Sequence, residues 1–383
     1  MAVTLPFPPS VLYAAAALSL AAVAHLLHLP SLLLYALHTY IHPDAVPSTT
    51  PRAVLRPPSA GTGSGKSKRG GEGGGGGNAS PFDAGSNSAQ LYRLRLSHAT
   101  LASRPHFADF HLALLLPLAL VPPALLLPAS AVSPLAPLPP VVFLFVALLR
   151  LVMLPSPRPA YFASTLGALL VVTLLSSSPF AGALASLALL PATRFARSFW
   201  LGTDQPRSGL AVLASSAPAR LLLYLAVLVS SAISILQFCG FLDGPELEVR
   251  LLAAAAGLQL LASRPAVQMY LNEAVFCWYQ RLHVSRSPDT EYGRAKVFLH
   301  NHHLCAVATQ LIAPPLLVLS LLALWRVQGK DFFEGVAELD WLVGWSMAMK
   351  EAALLAASLI VAVWSAVTVG TLVLYKHGWL LVL

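Results

Sequence analysis

Charged residues are scarce in this chain: they make up 10% of its 383 residues, against roughly 25% in an ordinary soluble domain. A soluble fold of this length needs far more polar surface to cover its core, so the composition excludes one. Cysteine is also rare, with three residues far apart and no Cys-x-x-Cys pair, which excludes a disulfide framework and a cysteine-based zinc cluster. The Gly-x-Ser-x-Gly turn of a nucleophile elbow is absent, and no catalytic residue is assigned.

Apolar residues are abundant instead, at 56% of the chain with a mean hydropathy of +0.70. Runs of roughly 17 to 25 apolar residues can cross a bilayer as helices. The candidate segments are 11–37, 111–129, 139–154, 161–177, 180–193, 221–241, 247–263, 304–325 and 352–374. The pair within 161–193 is turned at a Ser-Ser-Ser-Pro stretch and is interpreted as a possible re-entrant hairpin. The predicted fold class is all-α, a polytopic helical membrane protein with about 7–9 transmembrane helices.

The distribution of charge predicts the orientation of these helices. If the hairpin returns the chain to the side it left, 20 of the 24 Lys and Arg residues lie on the side of the 42–110 loop. If that segment crosses only once, the division becomes 14 against 10. The positive-inside rule favours the returning arrangement and makes this basic side cytosolic.

The 42–110 loop follows the first predicted transmembrane helix, which lies within residues 1–41. That helix begins at Val11 in a run too long for a signal-peptide core, so it is expected to be retained. The loop is rich in glycine, proline and serine, and is predicted to be a disordered cytosolic segment. Its Gly-Thr-Gly-Ser-Gly-Lys-Ser stretch resembles a phosphate-binding loop but lacks the flanking strand and helix. No nucleotide-binding residue and no cofactor are therefore expected.

Beyond this loop the sequence divides into three parts: Pro-rich transmembrane helices at 111–263, a cytosolic or interfacial amphipathic segment at 264–303, and the last two transmembrane helices at 304–383. In the second part, a helix from Ala266 to His283 is predicted to lie on the bilayer surface, because Arg264 at the preceding bend is costly in hydrocarbon. The alternative is one long span kinked at Pro265. This polar, aromatic segment is also the predicted surface for protein partners.

Asn272, Glu273 and Gln310 form the candidate polar site. Should Glu273 lie inside the membrane, it becomes a candidate proton or cation carrier with Asn272 or a histidine as its partner, because intramembrane carboxylates are costly and commonly functional. A transporter or channel built on these residues is one alternative function.

Histidines suggest a second alternative. His300, His302 and His303 form a His-Asn-His-His stretch that resembles one histidine box of the membrane-bound desaturase and hydroxylase families, which implies a metal-dependent, lipid-modifying enzyme. The spacing is one residue short and no matching second box is present. Caps at the membrane interface are the alternative role for these histidines. His25 and His28 are predicted to lie in the middle of the first span and to form interhelical hydrogen bonds.

Arg93, Arg95 and Arg104 lie just before the second predicted span and are expected to attract anionic lipid headgroups on the cytosolic side. Aromatic residues are not interleaved with these basic residues, so nucleic-acid binding is not predicted. The expectation is a non-catalytic, lipid- or partner-binding protein with a basic cytosolic face. Insertion through the secretory route places it in the endoplasmic reticulum or a later membrane, with the compartment open.

The predicted topology can be tested with single cysteines in an otherwise cysteine-free protein. We expect a cysteine in the 42–110 loop and Ser285→Cys to react with an impermeant reagent from the cytosol, and Gly335→Cys to react only from the lumen. Asn78, in an Asn-Ala-Ser acceptor motif, is expected to carry no glycan. A glycan at Asn78, or exchanged labelling at 285 and 335, would contradict the topology.

Overall fold

The structure of the protein is a computed structural model that describes residues 9–41, 54–55, 91–153, 179–204, 216–242, 244–283, 290–328 and 340–380. This part of the chain is overwhelmingly helical, which confirms the predicted helical class. Among the described residues, four helical segments are long and apolar enough to cross a membrane: Phe107–Leu126, Ala217–Phe238, Leu304–Val327 and Met347–Lys376. Two shorter apolar helical segments are Val11–Leu26 and Leu138–Val152. The predicted number of seven to nine spans is not confirmed.

The helices follow one another along the chain with few strands between them. In order they are α1 (Pro9–Leu26), α2 (Leu29–Leu32), α3 (His98–Ala102), α4 (Phe107–Leu126), α5 (Leu138–Met153), α6 (Pro179–Ser186), α7 (Leu189–Asp204), α8 (Ala217–Phe238), α9 (Pro245–His283), α10 (Thr290–His302), α11 (Leu304–Val327) and α12 (Asp340–Lys376). A short 3₁₀ helix at Ala129–Ala131 lies between α4 and α5.

Two predicted boundaries are wrong in the first half of the chain. The apolar run 11–37 does not form one helix, because α1 ends at Leu26 and His28 adopts a left-handed backbone conformation with φ of 52°. Pro30 then lacks the N–H that would continue the helix. The segment 180–193 is divided between α6 and α7, and 161–177 lies outside the described residues, so the re-entrant hairpin stays a prediction.

Helix α9 corrects the boundary placed at residue 264. It is one continuous helix of 39 residues that contains Pro265, so no separate helix begins at Ala266 and the single-helix alternative describes the backbone. Arg264 is accommodated because its side chain is exposed and its Nη2 donates to the backbone carbonyl of Tyr35 at 3.2 Å. Whether the second half of α9 lies on the bilayer surface stays a prediction.

A small antiparallel sheet joins the two ends of the 42–110 loop, which the sequence analysis did not anticipate. Its strands are β1 (His38–Ile41), β2 (Val54–Leu55) and β3 (Leu91–Arg95), in the order β1-β3-β2. In the register, His38 pairs with Arg95, and Val54 pairs with Tyr92. Proline near β2 is compatible with its edge position. The loop therefore contains folded segments, while the phosphate-loop-like stretch lies outside the described residues.

Helix α11 is the centre of the bundle. Its apolar residues are buried on every side, because α4, α5, α9 and α12 surround it, as expected for a helix that is hydrophobic all round. Pro314 and Pro315 lie within it. Pro315 cannot donate to the carbonyl of Leu311. The hydroxyl of Ser263 in α9 lies 3.2 Å from that carbonyl and shares its single hydrogen between it and the carbonyl of Gln259 in its own helix, at 2.9 Å. A neighbouring helix thus satisfies a backbone group that the proline frees.

Contacts between the helices define one end of the bundle, called the basic end below. There Arg104 contacts Asn301, Arg150 pairs with Asp109, Arg197 pairs with Glu273, Arg264 donates to Tyr35, and Lys376 lines a groove with Trp200. At the opposite end, the Lys350 ammonium lies 4.9 Å from the centre of the Trp325 ring. Arg150 in α5 and Arg197 in α7 thus lie at the same end, and residues 154–178 between these helices are outside the described residues. The returning arrangement and the side of the membrane that the basic end faces both stay predictions.

Ser263→Ala is expected to destabilise the protein by about 1 kcal/mol, because the buried Leu311 carbonyl loses its donor. In the Pro315→Ala background the helix supplies that donor again, so the same change should lower the melting temperature in detergent less than it does in the wild type. Ser320→Ala is the matched control, since the buried Ser320 hydroxyl bonds only to Leu316 of its own helix. Equal losses in both backgrounds would contradict this role of Ser263.

Candidate functional site

A cluster of polar side chains lies where α9, α10, α7 and β1 meet at the basic end. Its centre is Glu273, whose side chain is only 8% exposed. Arg197 approaches from α7, with its Nη2 2.5 Å from Glu273 Oε1. His300 approaches from α10, with its Nε2 3.8 Å from the same oxygen. A buried carboxylate therefore faces two nitrogen groups from two different helices.

The ring of His300 is fixed on both sides. Its Nδ1 lies 2.9 Å from the carbonyl oxygen of Lys296, which can only accept, so Nδ1 carries a hydrogen and donates it. The ring also stacks on Tyr270, with centroids 4.6 Å apart. Nε2 is thereby turned toward Glu273. The hydrogen bond at Nδ1 fixes the orientation of the imidazole, and this orientation determines which group Nε2 can contact.

Glu273 lies outside the four candidate membrane spans, and its pKa reflects its partners. Burial raises the pKa by disfavouring the charged carboxylate, but the nearby imidazole of His300 and the charge of Arg197 outweigh burial, so the pKa lies below its ordinary value of 4.5. Glu273 is therefore ionised at neutral pH.

Asn272 and Gln268 attach β1 to α9. They lie four residues apart, on one face of the helix. The Gln268 amide donates to the carbonyl of His38 at 3.0 Å and accepts from the N–H of the same residue at 2.8 Å. Asn272 Oδ1 accepts from Gln268 Nε2 at 2.9 Å and from the Tyr40 hydroxyl at 3.2 Å. A side-chain amide thus takes the place that a neighbouring strand would occupy beside β1.

Asn301 attaches the same strand to α10. Its Nδ2 donates to the carbonyl of Tyr40 at 2.7 Å, and its Oδ1 accepts from the Thr39 hydroxyl. Arg104 Nη1 donates to the backbone carbonyl of Asn301. Arg104 is thus half-buried in a protein contact, whereas Arg93 is partly and Arg95 largely exposed on β3. The expected attraction of these arginines to lipid headgroups stays a prediction.

Helices α9 and α10 also touch directly. Lys296 Nζ donates to the Sγ of the buried Cys277 at 2.9 Å. Gly293 faces Trp278 so closely that a Cβ at residue 293 would lie 2.5 Å from the indole Cδ1. Only glycine allows this approach without displacement of the ring.

The third residue of the candidate polar site lies elsewhere. Gln310 is buried in α11, and its Nε2 lies 3.4 Å from the carbonyl of Leu151 in α5. Its buried Oε1 has no hydrogen-bond partner among the described residues. The structure therefore brings Asn272 and Glu273 into one cluster with His300 and gives Gln310 separate neighbours.

The structure divides the His-Asn-His-His residues into two places. His300 faces Glu273, whereas the exposed His302 lies edge-to-face against His303 with ring centres 5.0 Å apart and stacks on Phe298 at 5.9 Å. In the part of the chain that the structure describes, no group of three or more His, Cys, Asp or Glu side chains is arranged to hold a metal ion.

Four other histidines gather near the basic end, which sequence reasoning missed. His28 stacks on His98 with ring centres 4.0 Å apart, and His25 lies 5.8 Å from His111. His25 is in the last turn of α1 and His28 lies beyond its end, so the prediction that both lie in the middle of a span is wrong. The spacing of His25 and His28 was visible in the sequence, but the distant partners were not.

The cluster around Glu273 is chemically suited to holding elements together. Its carboxylate and amides are engaged by neighbouring side chains and backbone, and the two surface cavities described, of about 250 and 60 Å³, are lined by other residues. The chain was compared with protein-family models, curated proteins and solved structures. No match was found in any of the three comparisons.

The Arg197–Glu273 pair is expected to stabilise the fold. Arg197→Gln should cost about 2 kcal/mol, because it leaves a buried carboxylate without its arginine, and Glu273→Gln should cost less. The double variant should lose less stability than the sum of the single variants. Arg150→Gln is the control, since it removes an exposed pair with Asp109, 3.3 Å apart, and should change the melting temperature little.

The same pair predicts a dependence of stability on pH. The pKa of Glu273 is lower in the folded protein than in the unfolded chain, so its contribution is fully present above pH 4.5 and is lost as the pH falls through the folded-state pKa. In Arg197→Gln this loss should begin at higher pH. Melting curves of both proteins between pH 3 and pH 7 measure the difference, and parallel curves would contradict the assignment.

Proposed function

We propose that this is a non-catalytic, multi-pass membrane protein of the endomembrane system, in the endoplasmic reticulum or a later compartment. Its basic end faces the cytosol, where it binds partner proteins and anionic lipids. The observation that carries the proposal is that the ionised Glu273 is paired within the protein and holds α7 and α10 together. Such a site supports a fixed binding platform rather than a reaction centre or a passage for ions.

The platform offers an apolar surface at the basic end. On α10, the large side chains of Tyr292, Phe298 and Leu299 are exposed. The same helix is held against α9 by Gly293 and Lys296, and against β1 by Asn301. Exposed apolar side chains on a rigid element outside the membrane are typical of a surface that binds another protein.

A transporter or channel is the second candidate, because a buried carboxylate beside a histidine is a group that proton carriers use. That mechanism needs Glu273 to exchange its partners during each cycle. Gln310 lies apart from Asn272 and Glu273, and its Oε1 has no hydrogen-bond partner among the described residues. This separation weakens a transport pathway that uses all three residues. A metal-dependent lipid-modifying enzyme has less support, since His300 is directed at Glu273 while His302 and His303 contact each other.

Partner binding can be tested by comparing Phe298→Asp with Phe241→Asp. Both side chains are largely exposed, but Phe298 lies on α10 at the basic end and Phe241 lies in the turn between α8 and α9 at the other end. Partner proteins are cross-linked to the full-length chain in cells. We expect Phe298→Asp to lose these cross-links and Phe241→Asp to keep them. Loss in both variants, or in neither, would contradict a partner surface on α10.

Proteoliposomes distinguish this proposal from the carrier. We expect wild-type vesicles to show no proton or monovalent-cation flux above protein-free vesicles, and Glu273→Gln to change only the melting temperature. A wild-type flux that Glu273→Gln removes at an unchanged melting temperature would overturn the proposal in favour of a transporter.

A further inference from the structure

A surface groove runs between α7, α8 and α12 near the basic end. Its volume is about 250 Å³, and its walls include Phe199, Trp200, Tyr224, Val369, Val373 and Lys376. Ligand pockets for drug-sized molecules are larger, at roughly 300–1,000 Å³. The groove therefore has room for one flexible chain rather than for a whole compact ligand.

The walls of the groove are aromatic and held in place. Phe199 packs edge-to-face on Tyr224 with ring centres 5.0 Å apart, and Trp200 stacks on Tyr375 at 5.8 Å. These contacts link α7 to α8 and to α12, so the groove is formed by three packed helices and does not depend on one mobile side chain. Rigid aromatic walls reduce the ordering that a bound chain would otherwise require.

The groove opens toward the lipid. Two of its three helices, α8 and the Met347–Lys376 part of α12, are candidate membrane spans, and Val373 and Tyr224 are nearly half exposed within it. In a bilayer such a surface meets acyl chains. Because the groove is close to the ends of both helices, a chain within it belongs to a lipid whose headgroup lies at the basic end.

Basic side chains lie where that headgroup would be. Lys376 is part of the groove and is the last residue of α12. Arg220 lies four residues before Tyr224, hence on the same side of α8 and one turn nearer the basic end. Both side chains are exposed, and among the described residues none that lines the groove is acidic. Basic groups between transmembrane helices on the cytosolic side are typical of sites for anionic headgroups.

We infer that this groove binds one anionic phospholipid from the leaflet at the basic end. One acyl chain lies along Tyr224, Val369 and Val373, and the phosphate lies between Arg220 and Lys376. The inference deepens the lipid-binding part of the proposed function and rests on it only for the membrane setting. It assigns the site to α7, α8 and α12, away from the arginines of β3.

Fluorescence quenching of Trp200 provides the test. Full-length protein in detergent is titrated with phosphatidylglycerol or phosphatidylcholine that carries bromine on an acyl chain, and Trp200→Phe identifies the share of quenching due to Trp200 among the seven tryptophans. We expect phosphatidylglycerol to quench Trp200 at a concentration about 10-fold lower than phosphatidylcholine. Equal quenching by the two lipids, or no quenching of Trp200, would overturn the inference.

Charge variants locate the headgroup. Arg220→Gln with Lys376→Gln should remove the preference for phosphatidylglycerol, whereas Arg326→Gln with Lys350→Gln at the opposite end should keep it. Arg220, Arg326 and Lys376 lie near helix ends, and Lys350 lies within α12 against Trp325; unchanged melting temperatures of both double variants show that the bundle stays intact. Val373→Phe, which narrows the groove without adding a tryptophan, should weaken quenching of Trp200 by both lipids. An unchanged preference for phosphatidylglycerol after loss of Arg220 and Lys376 would overturn the headgroup site. The proposed binding of partner proteins is tested separately, by the flux and cross-linking experiments.

Discussion

A carboxylate with less than a tenth of its side chain exposed has to be neutralised, because an unpaired buried charge costs several kcal/mol. Glu273 meets this requirement with Arg197 and His300, and the helices that carry these residues are fixed as a result. The position of α10 further sets that of Asn301, which holds β1. The geometry of the basic end thus follows from the neutralisation of one buried charge.

Hydrogen bonds to backbone groups complete the same arrangement. Gln268 pairs with both backbone groups of His38, and Ser263 pairs with the carbonyl that Pro315 leaves free. Both residues are on α9, one outside the bundle core and one inside it. In each case a side chain supplies the hydrogen-bond partner that a neighbouring strand or a backbone N–H would otherwise provide. Buried backbone groups require such partners.

The helical class, the apolar helices and the gathering of basic residues at one end could be predicted from the sequence, because composition and charge decide them. The burial of α11 could not, since an apolar helix facing lipid and one facing other helices have the same composition. The continuity of α9 was misjudged because Pro265 and Arg264 together indicate a break, while the exposure of Arg264 removes its cost. Asn272 and Glu273 were recognised as a polar pair, but Arg197, Asn301 and Tyr40 are distant in sequence. Only the tertiary fold brings them together.

The length of α9 has a mechanical consequence. Its 39 residues span about 58 Å at 1.5 Å per residue, nearly twice the roughly 30 Å of a hydrocarbon core. Glu273 lies about 42 Å from the first residue of the helix by the same rise. Because α9 is one continuous helix, the part that holds α7 and α10 through Glu273 is mechanically coupled to the part that contacts α11 through Ser263.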